Sequence, residues 1–223
     1  MLKRLFDISL SGLGLVLSAP LWATIAVAIK CEDGGPIFYG QPRVGKDGKE
    51  FQSVKFRSMV PDSDVKWGVV TAKENDPRIT RVGRVLRATA MDELPQLWNI
   101  FRGDMSFVGP RPEWSELVKQ FRAEIPGFDR RHAVPPGLTG LAQIYGHSEL
   151  PRRQKLRYDL IYIKRQNFWL DLRLVFISFL VTFTGKWEER SAKLPRLLGG
   201  RRGVRRQVAP AAKPSCEAPA AQS

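Results

Sequence analysis

Residues Ile8 to Ile29 form the longest apolar run in the chain, 22 positions without a charge, with Lys3, Arg4 and Asp7 before it and Lys30 after it. As one straight helix at about 1.5 Å per residue, the run reaches roughly 33 Å, enough to cross a hydrocarbon core of roughly 30 Å. Pro20 stands near its middle, where a missing N–H and a ring clash cost about 3 kcal/mol in a helix interior and predict a kink or a reversal. Divided there, the arms measure roughly 18 Å and roughly 15 Å, too short to span but suited to a hairpin within one leaflet. Hydropathy leaves both forms open, and they put the N-terminus on opposite sides. A cleaved leader is disfavoured, because the apolar run continues ten residues past Ala19 where a polar cleavage region belongs.

Beyond this run the pattern changes period. Pro36–Arg43 and Lys49–Phe56 flank Gly45-Lys-Asp-Gly48 and predict a β-hairpin. Asp62–Arg78 is polar, with a turn at Asn75-Asp-Pro77. Leu94, Leu97, Trp98 and Phe101 recur at helical spacing, which predicts a helix with Asp92 as its N-cap and Pro95 in the first turn. A second helix is predicted over Glu113–Glu124, with Trp114, Leu117, Val118 and Phe121 on one side, and a long one over Arg152–Gln166. Asp104–Pro112 and Val134–Gly140 are Gly/Pro loops. Phe168–Thr184 has 11 uncharged residues at its C-terminal end, too few to span; it suits an interfacial helix or a core helix. The fold class is α+β: a membrane segment over residues 1–30, a catalytic or binding body over 31–185 with a small sheet and amphipathic helices, and a tail over 186–223.

Charge narrows the partners. Lys plus Arg number 36 against 22 Asp plus Glu, a net +14, and the tail alone holds nine basic and three acidic residues. The tail is predicted to be disordered and drawn to anionic inner-leaflet lipid. Nucleic acid is disfavoured, because the aromatics sit in apolar stripes instead of alternating with basic residues. Cys31, Cys216, His132 and His147 cannot form a zinc cage at any standard spacing. Any metal is therefore expected to be a hard cation held by carboxylates and substrate oxygens.

The adjacent carboxylates Asp92 and Glu93 are the main candidate chemistry. Their plain explanation is an N-cap followed by a first-turn acid. Neighbours on a helix diverge by roughly 100°, so the pair suits one carboxylate attacking while the other binds a cation, more than facing acid/base work. Lys55, Arg57, Arg78, Arg81, Arg84, Arg87 and Arg111 cluster around them in sequence, and such cations would stabilise a transferring diphosphate.

Met91-Asp-Glu-Leu-Pro-Gln-Leu-Trp-Asn-Ile100 followed by Arg102-Gly-Asp-Met-Ser-Phe-Val-Gly-Pro-Arg-Pro112 resembles the signature of bacterial sugar transferases of the polyprenyl-phosphate phosphoglycosyltransferase type. Lys55-Phe-Arg-Ser-Met59, Asp76-Pro-Arg-Ile-Thr-Arg-Val-Gly83, Gly137-Leu-Thr-Gly-Leu-Ala-Gln143 and Tyr158-Asp-Leu-Ile-Tyr-Ile163 agree, and the resemblance covers roughly residues 1–185.

The resemblance implies the small, monotopic form, with a re-entrant helix-break-helix at Ser18 and Pro20 and an active site on the cytoplasmic face of the bacterial inner membrane. It implies that Asp92 attacks the sugar-bearing phosphate of a nucleoside diphosphate sugar, usually UDP-linked, and that polyprenyl phosphate then takes the sugar phosphate, starting a lipid-linked glycan. Mg2+ would sit near Glu93, Arg87 and Arg111 would contact phosphates with Lys55 or Arg57, and Asp159 would support the site. Pro135 and His147 replace basic residues common in relatives and remove guanidiniums that could bind phosphate. A membrane-anchored scaffold without catalysis is the rival reading, and self-association is left open.

Overall fold

The computed structural model describes residues 1–61, 63, 76–146 and 150–184. Contacts gather Met1–Lys193 into one compact unit; the other, Leu194–Ser223, lies outside the described residues, as does the whole basic tail.

Helix α1 spans Leu2–Asp33 and ends at Gly34, whose φ of 72° supplies a left-handed cap. It runs through Pro20 without separating into two helices, so the expected break is not seen. An interior proline loses one hydrogen bond and crowds the carbonyl four residues earlier, which can bend a helix without ending it. Only 11% of the most apolar 18-residue window is covered by the rest of the chain, so α1 is no core helix. Leu13, Val16, Leu17 and Leu21 are exposed near its middle, whereas both ends are docked on the body. At the N-terminal end Asp7, 3% exposed, accepts hydrogen bonds from Ser106 Oγ and the Phe107 amide, both at 3.1 Å. Lys3 Nζ reaches Asp171 Oδ2 at 2.6 Å and the Val108 carbonyl at 3.0 Å. At the other end Ile25 and Ile29 pack with Phe56 and Leu86.

The predicted hairpin forms as β1 (Phe38–Val44) and β2 (Glu50–Phe56), antiparallel from Phe38 opposite Phe56 to Val44 opposite Glu50. A 3-10 turn at Lys46–Gly48 closes it. Helix α2 covers Arg81–Ala88, with Thr80 as N-cap accepting from the Gly83 amide. A methyl group added to Gly83 would stand 2.0 Å from the Ser58 carbonyl oxygen, so α2 can lie against the segment after β2 only with glycine there.

Helix α3 (Gln96–Arg102) follows a 3-10 turn at Met91–Glu93. Asn99, 1% exposed, joins it to the hairpin: its Oδ1 accepts from the Val54 amide at 3.0 Å and its Nδ2 donates to the Gln52 carbonyl at 2.8 Å. Helix α4 is Ser115–Glu124, starting two residues later than predicted, and its Val118 and Phe121 build a core cluster with Val44, Ile125, Phe128 and Leu156.

The two stretches predicted as loops contain a second sheet. Strands β3 (Ser106–Val108) and β4 (Gly137–Thr139) pair in parallel. Helices α5 (Leu141–Tyr145), α6 (Arg152–Arg165) and α7 (Phe168–Thr184) complete the body. Helix α7 packs one side against the body and leaves the other uncovered. Leu174, Val181 and Asp171 are buried, while Trp169, Phe176 and Phe179 are exposed.

Candidate active site

The turn at Met91–Glu93 is set by Ala90, whose φ of 54° reverses the chain between α2 and α3. Asp92 is not a helix cap: the N-cap position of α3 is Pro95, and the Asp92 carboxylate makes no hydrogen bond among the described residues. It is nevertheless 8% exposed. Burial pushes its carboxyl above the usual carboxylate range; Lys55 offsets part of that, Glu93 adds to it, and Arg87 and Arg111 pull back. A buried carboxylate without hydrogen bonds, facing several cations, keeps its lone pairs available for attack.

Glu93 is the hub of the site. Its Oε1 accepts from Lys55 Nζ at 2.5 Å and from Arg111 Nη2 at 2.6 Å. Burial alone would raise its carboxyl, but Arg111 and Lys55 together hold it well below the usual range, so it stays ionised. Lys55, half-buried on β2, is lowered by desolvation even though Glu93 pulls the other way. Oε2 of Glu93 makes no hydrogen bond among the described residues.

Of the residues singled out in the sequence, Asp92, Glu93, Lys55 and Arg111 come together, and Arg87, exposed at the end of α2, acts on Asp92 through its charge. Arg57 does not join them. It lies one residue past β2, 5% exposed, and its guanidinium is taken by the Asp33 carboxylate and the Pro36 carbonyl. There it ties the end of α1 to the hairpin. Asp159 stands behind the site, 2.8 Å from Arg131 Nη2, which also donates to the Arg111 carbonyl at 2.8 Å. Among the described residues, no group of three or more His, Cys, Asp or Glu side chains could hold a metal by itself. His147 lies outside the described residues.

Two contributors escaped the sequence reading. Arg131 sits in a short basic run, and the carboxylate it pairs with, that of Asp159, lies far along the chain on α6. Arg43 donates from β1 to the Pro112 carbonyl and to Gln41 Oε1 and lies over the Trp114 ring at 5.6 Å, fixing the Arg111 loop to the hairpin. The glycines of the two loops explain why those loops meet: a methyl on Gly109 would fall 2.4 Å from the Pro135 carbonyl oxygen, and one on Gly137 would fall 2.0 Å from the Gly109 amide nitrogen.

The family described as bacterial sugar transferase matches residues 1–185. The chain belongs to that family. Among its relatives, the UDP-glucose:undecaprenyl-phosphate glucose-1-phosphate transferase of Klebsiella pneumoniae is 45% identical over 190 residues, covering 82% of this chain and 40% of the relative. The UDP-N-acetylgalactosamine-undecaprenyl-phosphate N-acetylgalactosaminephosphotransferase of Aeromonas hydrophila is 42% identical over 187 residues, covering 82% of this chain and 44% of the relative. The exopolysaccharide production protein ExoY of Rhizobium meliloti (strain 1021) is 37% identical over 190 residues, covering 79% of this chain and 83% of the relative. This sugar transferase family member thus spans well under half the length of the first two. The family match includes every residue placed at the site, from Lys55 to Asp159.

Proposed function

We propose that this chain transfers a sugar 1-phosphate from a UDP-sugar to undecaprenyl phosphate through a covalent aspartyl intermediate. The observation that carries the reading is the buried, unbonded Asp92 carboxylate beside a Glu93 gripped by Lys55 and Arg111. An Asp92 oxygen attacks the sugar-bearing phosphorus, the bond from that phosphorus to the bridging oxygen breaks, and UMP leaves with the electron pair. A phosphate oxygen of undecaprenyl phosphate then attacks the same phosphorus. The acyl–phosphate bond breaks, Asp92 returns as a carboxylate, and undecaprenyl diphosphate sugar departs to start a lipid-linked glycan such as an exopolysaccharide, O-antigen, capsule or glycoprotein glycan.

Arg87 and Arg111 would bind the donor's phosphates; Arg111 bonds Glu93 through Nη2 and keeps 45% of its side chain exposed, whereas Lys55 is the less exposed of the two cations on Glu93. Charge on the leaving UMP and on the acyl phosphate is stabilised by these fixed cations without reorganisation. The residues present fit Mg2+, which takes one or two carboxylates and completes its shell with substrate phosphates. Glu93 Oε2 would hold it, and when bound it would neutralise diphosphate charge.

The same reading places the site at the cytoplasmic face of the bacterial inner membrane. Lys3 and Arg4 at one end of α1, and Glu32 and Asp33 at the other, all bond to the same body. Both charged ends bonded to one body support a helix that enters and leaves the membrane by the same face. The exposed apolar middle of α1 then dips into one leaflet, the aromatic face of α7 rests at the interface, and the basic tail is drawn to anionic lipid.

The test is Asp92→Asn in purified full-length protein with undecaprenyl phosphate, Mg2+ and UDP-glucose, UDP-galactose or UDP-N-acetylgalactosamine. UMP release is expected to vanish while membrane association persists, and wild-type protein quenched early should carry a sugar phosphate on Asp92. Undiminished turnover in the variant would remove Asp92 as nucleophile. A cysteine at Met1, in a Cys31→Ser, Cys216→Ser background, should be labelled only from the cytoplasmic side; labelling from outside would mean a spanning α1.

A further inference from the structure

The turn that carries Asp92 joins two short helices, and the outer end of each is held by α1. At the N-terminus of α2, the Glu32 carboxylate accepts from the Arg81 amide at 2.6 Å through Oε1 and from the Val82 amide at 3.1 Å through Oε2. Thr80 takes the Gly83 amide, so the first-turn donors of α2 are satisfied mainly from another helix. At the C-terminus of α3, Arg4 Nη1 donates to the Ile100 carbonyl at 2.6 Å and Nη2 to the Phe101 carbonyl at 2.7 Å. Both charges have the sign that the helix dipole favours, an anion at the start and a cation at the end. Between the two points α1 lies close on α3: a methyl on Gly12 would stand 3.4 Å from the Phe101 ring, and one on Gly14 would stand 3.1 Å from Leu97.

We propose that Arg4 and Glu32 are positioning residues that act as the two jaws of one clamp, through which α1 sets the geometry of the Asp92 turn. This rests on the reading of Asp92 as nucleophile. Apart from the hold of Lys55 and Arg111 on Glu93 and the packing of Met91 and Leu94 on the cluster around Phe56, the turn's own backbone fixes it only loosely. Its own backbone bonds are 3.3 Å from the Glu93 amide to the Ala90 carbonyl and 3.2 Å from the Leu94 amide to the Met91 carbonyl, and Ala90 is in the left-handed region. With α2 and α3 each gripped at the far end, the angle between them is fixed, and with it the reach from Asp92 to a phosphate bound at Arg111. Asn99 on α3 and the seat of Gly83 on Ser58 still tie both helices to the hairpin, so release of either jaw loosens that angle without freeing it, and release of the second adds little. The clamp also makes the site depend on the seating of α1: only a helix with both ends on the body can grip both elements.

The experiment uses the full chain in nanodiscs containing anionic lipid, with Arg4→Met, Glu32→Gln and the double variant. Each single variant is expected to lower kcat for UMP release about tenfold, with KM for the UDP-sugar within about twofold, since chemistry suffers from misplacement while donor binding does not. The double variant is expected to fall no further than the worse single one, whereas independent caps would multiply to about a hundredfold. Hydrogen exchange gives a readout that needs no turnover: the Glu93 and Leu94 amides should exchange faster in both single variants. Arg4→Lys should rescue kcat, because the cation stays at the end of α3.

Unchanged kcat, multiplicative losses or unchanged exchange at the turn would each overturn the clamp. If a single variant fails to fold, Glu32→Asp, which keeps the charge and shortens the reach, must still quicken exchange at Glu93, or the clamp is refuted. Wild-type protein that releases no UMP would refute the phosphotransferase reading and leave the exchange result standing on its own.

Discussion

Replacing Asp159 by asparagine tests how the site is supported from behind. The Asp159 and Arg131 side chains are 3% and 5% exposed, and the pair closes at 2.8 Å. Burial holds the Asp159 carboxyl above its usual range despite the pull of Arg131, so the pair contributes little net stability over an apolar equivalent. Breaking it is another matter. The change Asp159→Asn would leave a buried guanidinium without its counter-charge, which costs about 3–5 kcal/mol. Asparagine keeps the shape and one acceptor and also removes the cost of ionising a carboxyl held above its usual range, which works against the loss, so the lower end, about 3 kcal/mol, is expected. For a chain of this size that corresponds to a fall in Tm of roughly 6–12 °C. Circular dichroism melts in detergent micelles would measure the stability, and UMP release would measure the site. Turnover should drop too, because Arg131 Nη2 holds the Arg111 carbonyl. The combined variant Asp159→Leu, Arg131→Met should recover most of the lost Tm without recovering activity. A single variant melting within about 3 °C of wild type, or a double variant as unstable as the single one, would refute this account.

Other consequences follow from the same geometry. Asp92→Asn should melt above wild type near neutral pH, because ionising a carboxyl whose folded pKa is raised costs stability above that pKa. The gain should shrink as the pH falls through the raised value and disappear below the ordinary 3.8; a melt no higher than wild type at pH 7 would contradict it. UMP release should fail on the acid side above pH 3.8, as Asp92 gains a proton, and on the alkaline side below pH 10.5, as Lys55 loses one. A profile with both limbs at those ordinary values would show that the turn does not shift its groups. Gly109→Ala should cost about 1–3 kcal/mol in melts and reduce turnover, since the added methyl meets backbone atoms that have no room to move.

The hairpin, the helix that follows Asp92 and the apolar N-terminal segment were legible in the residues because each is specified locally. Gly45 to Gly48 between two strand-like runs fixes a turn, and the period of Leu94, Leu97, Trp98 and Phe101 fixes a helix face. The nucleophile candidate and its neighbour were also legible, as an acidic pair among arginines, although their plain explanation as a cap was equally good until the turn was seen.

What only the tertiary structure decided is everything that depends on pairing across long separations. Strands β3 and β4 are three residues each, set among Gly and Pro, and the pairing of Ser106 with Gly137 across so much intervening chain leaves no periodic trace. Arg57 and Lys55 look alike in sequence, but β2 ends at Phe56, so one faces Glu93 and the other turns to Asp33. Lys3 and Asp7 read as mere flanks of an apolar run and Glu32 and Asp33 drew no notice, yet each holds a distant segment of the body. Composition and spacing determined which chemistry this chain could carry. The burial of charged groups against partners far along the sequence decided where that chemistry sits, because a buried charge is tolerated only where the fold delivers its counter-charge or hydrogen bonds.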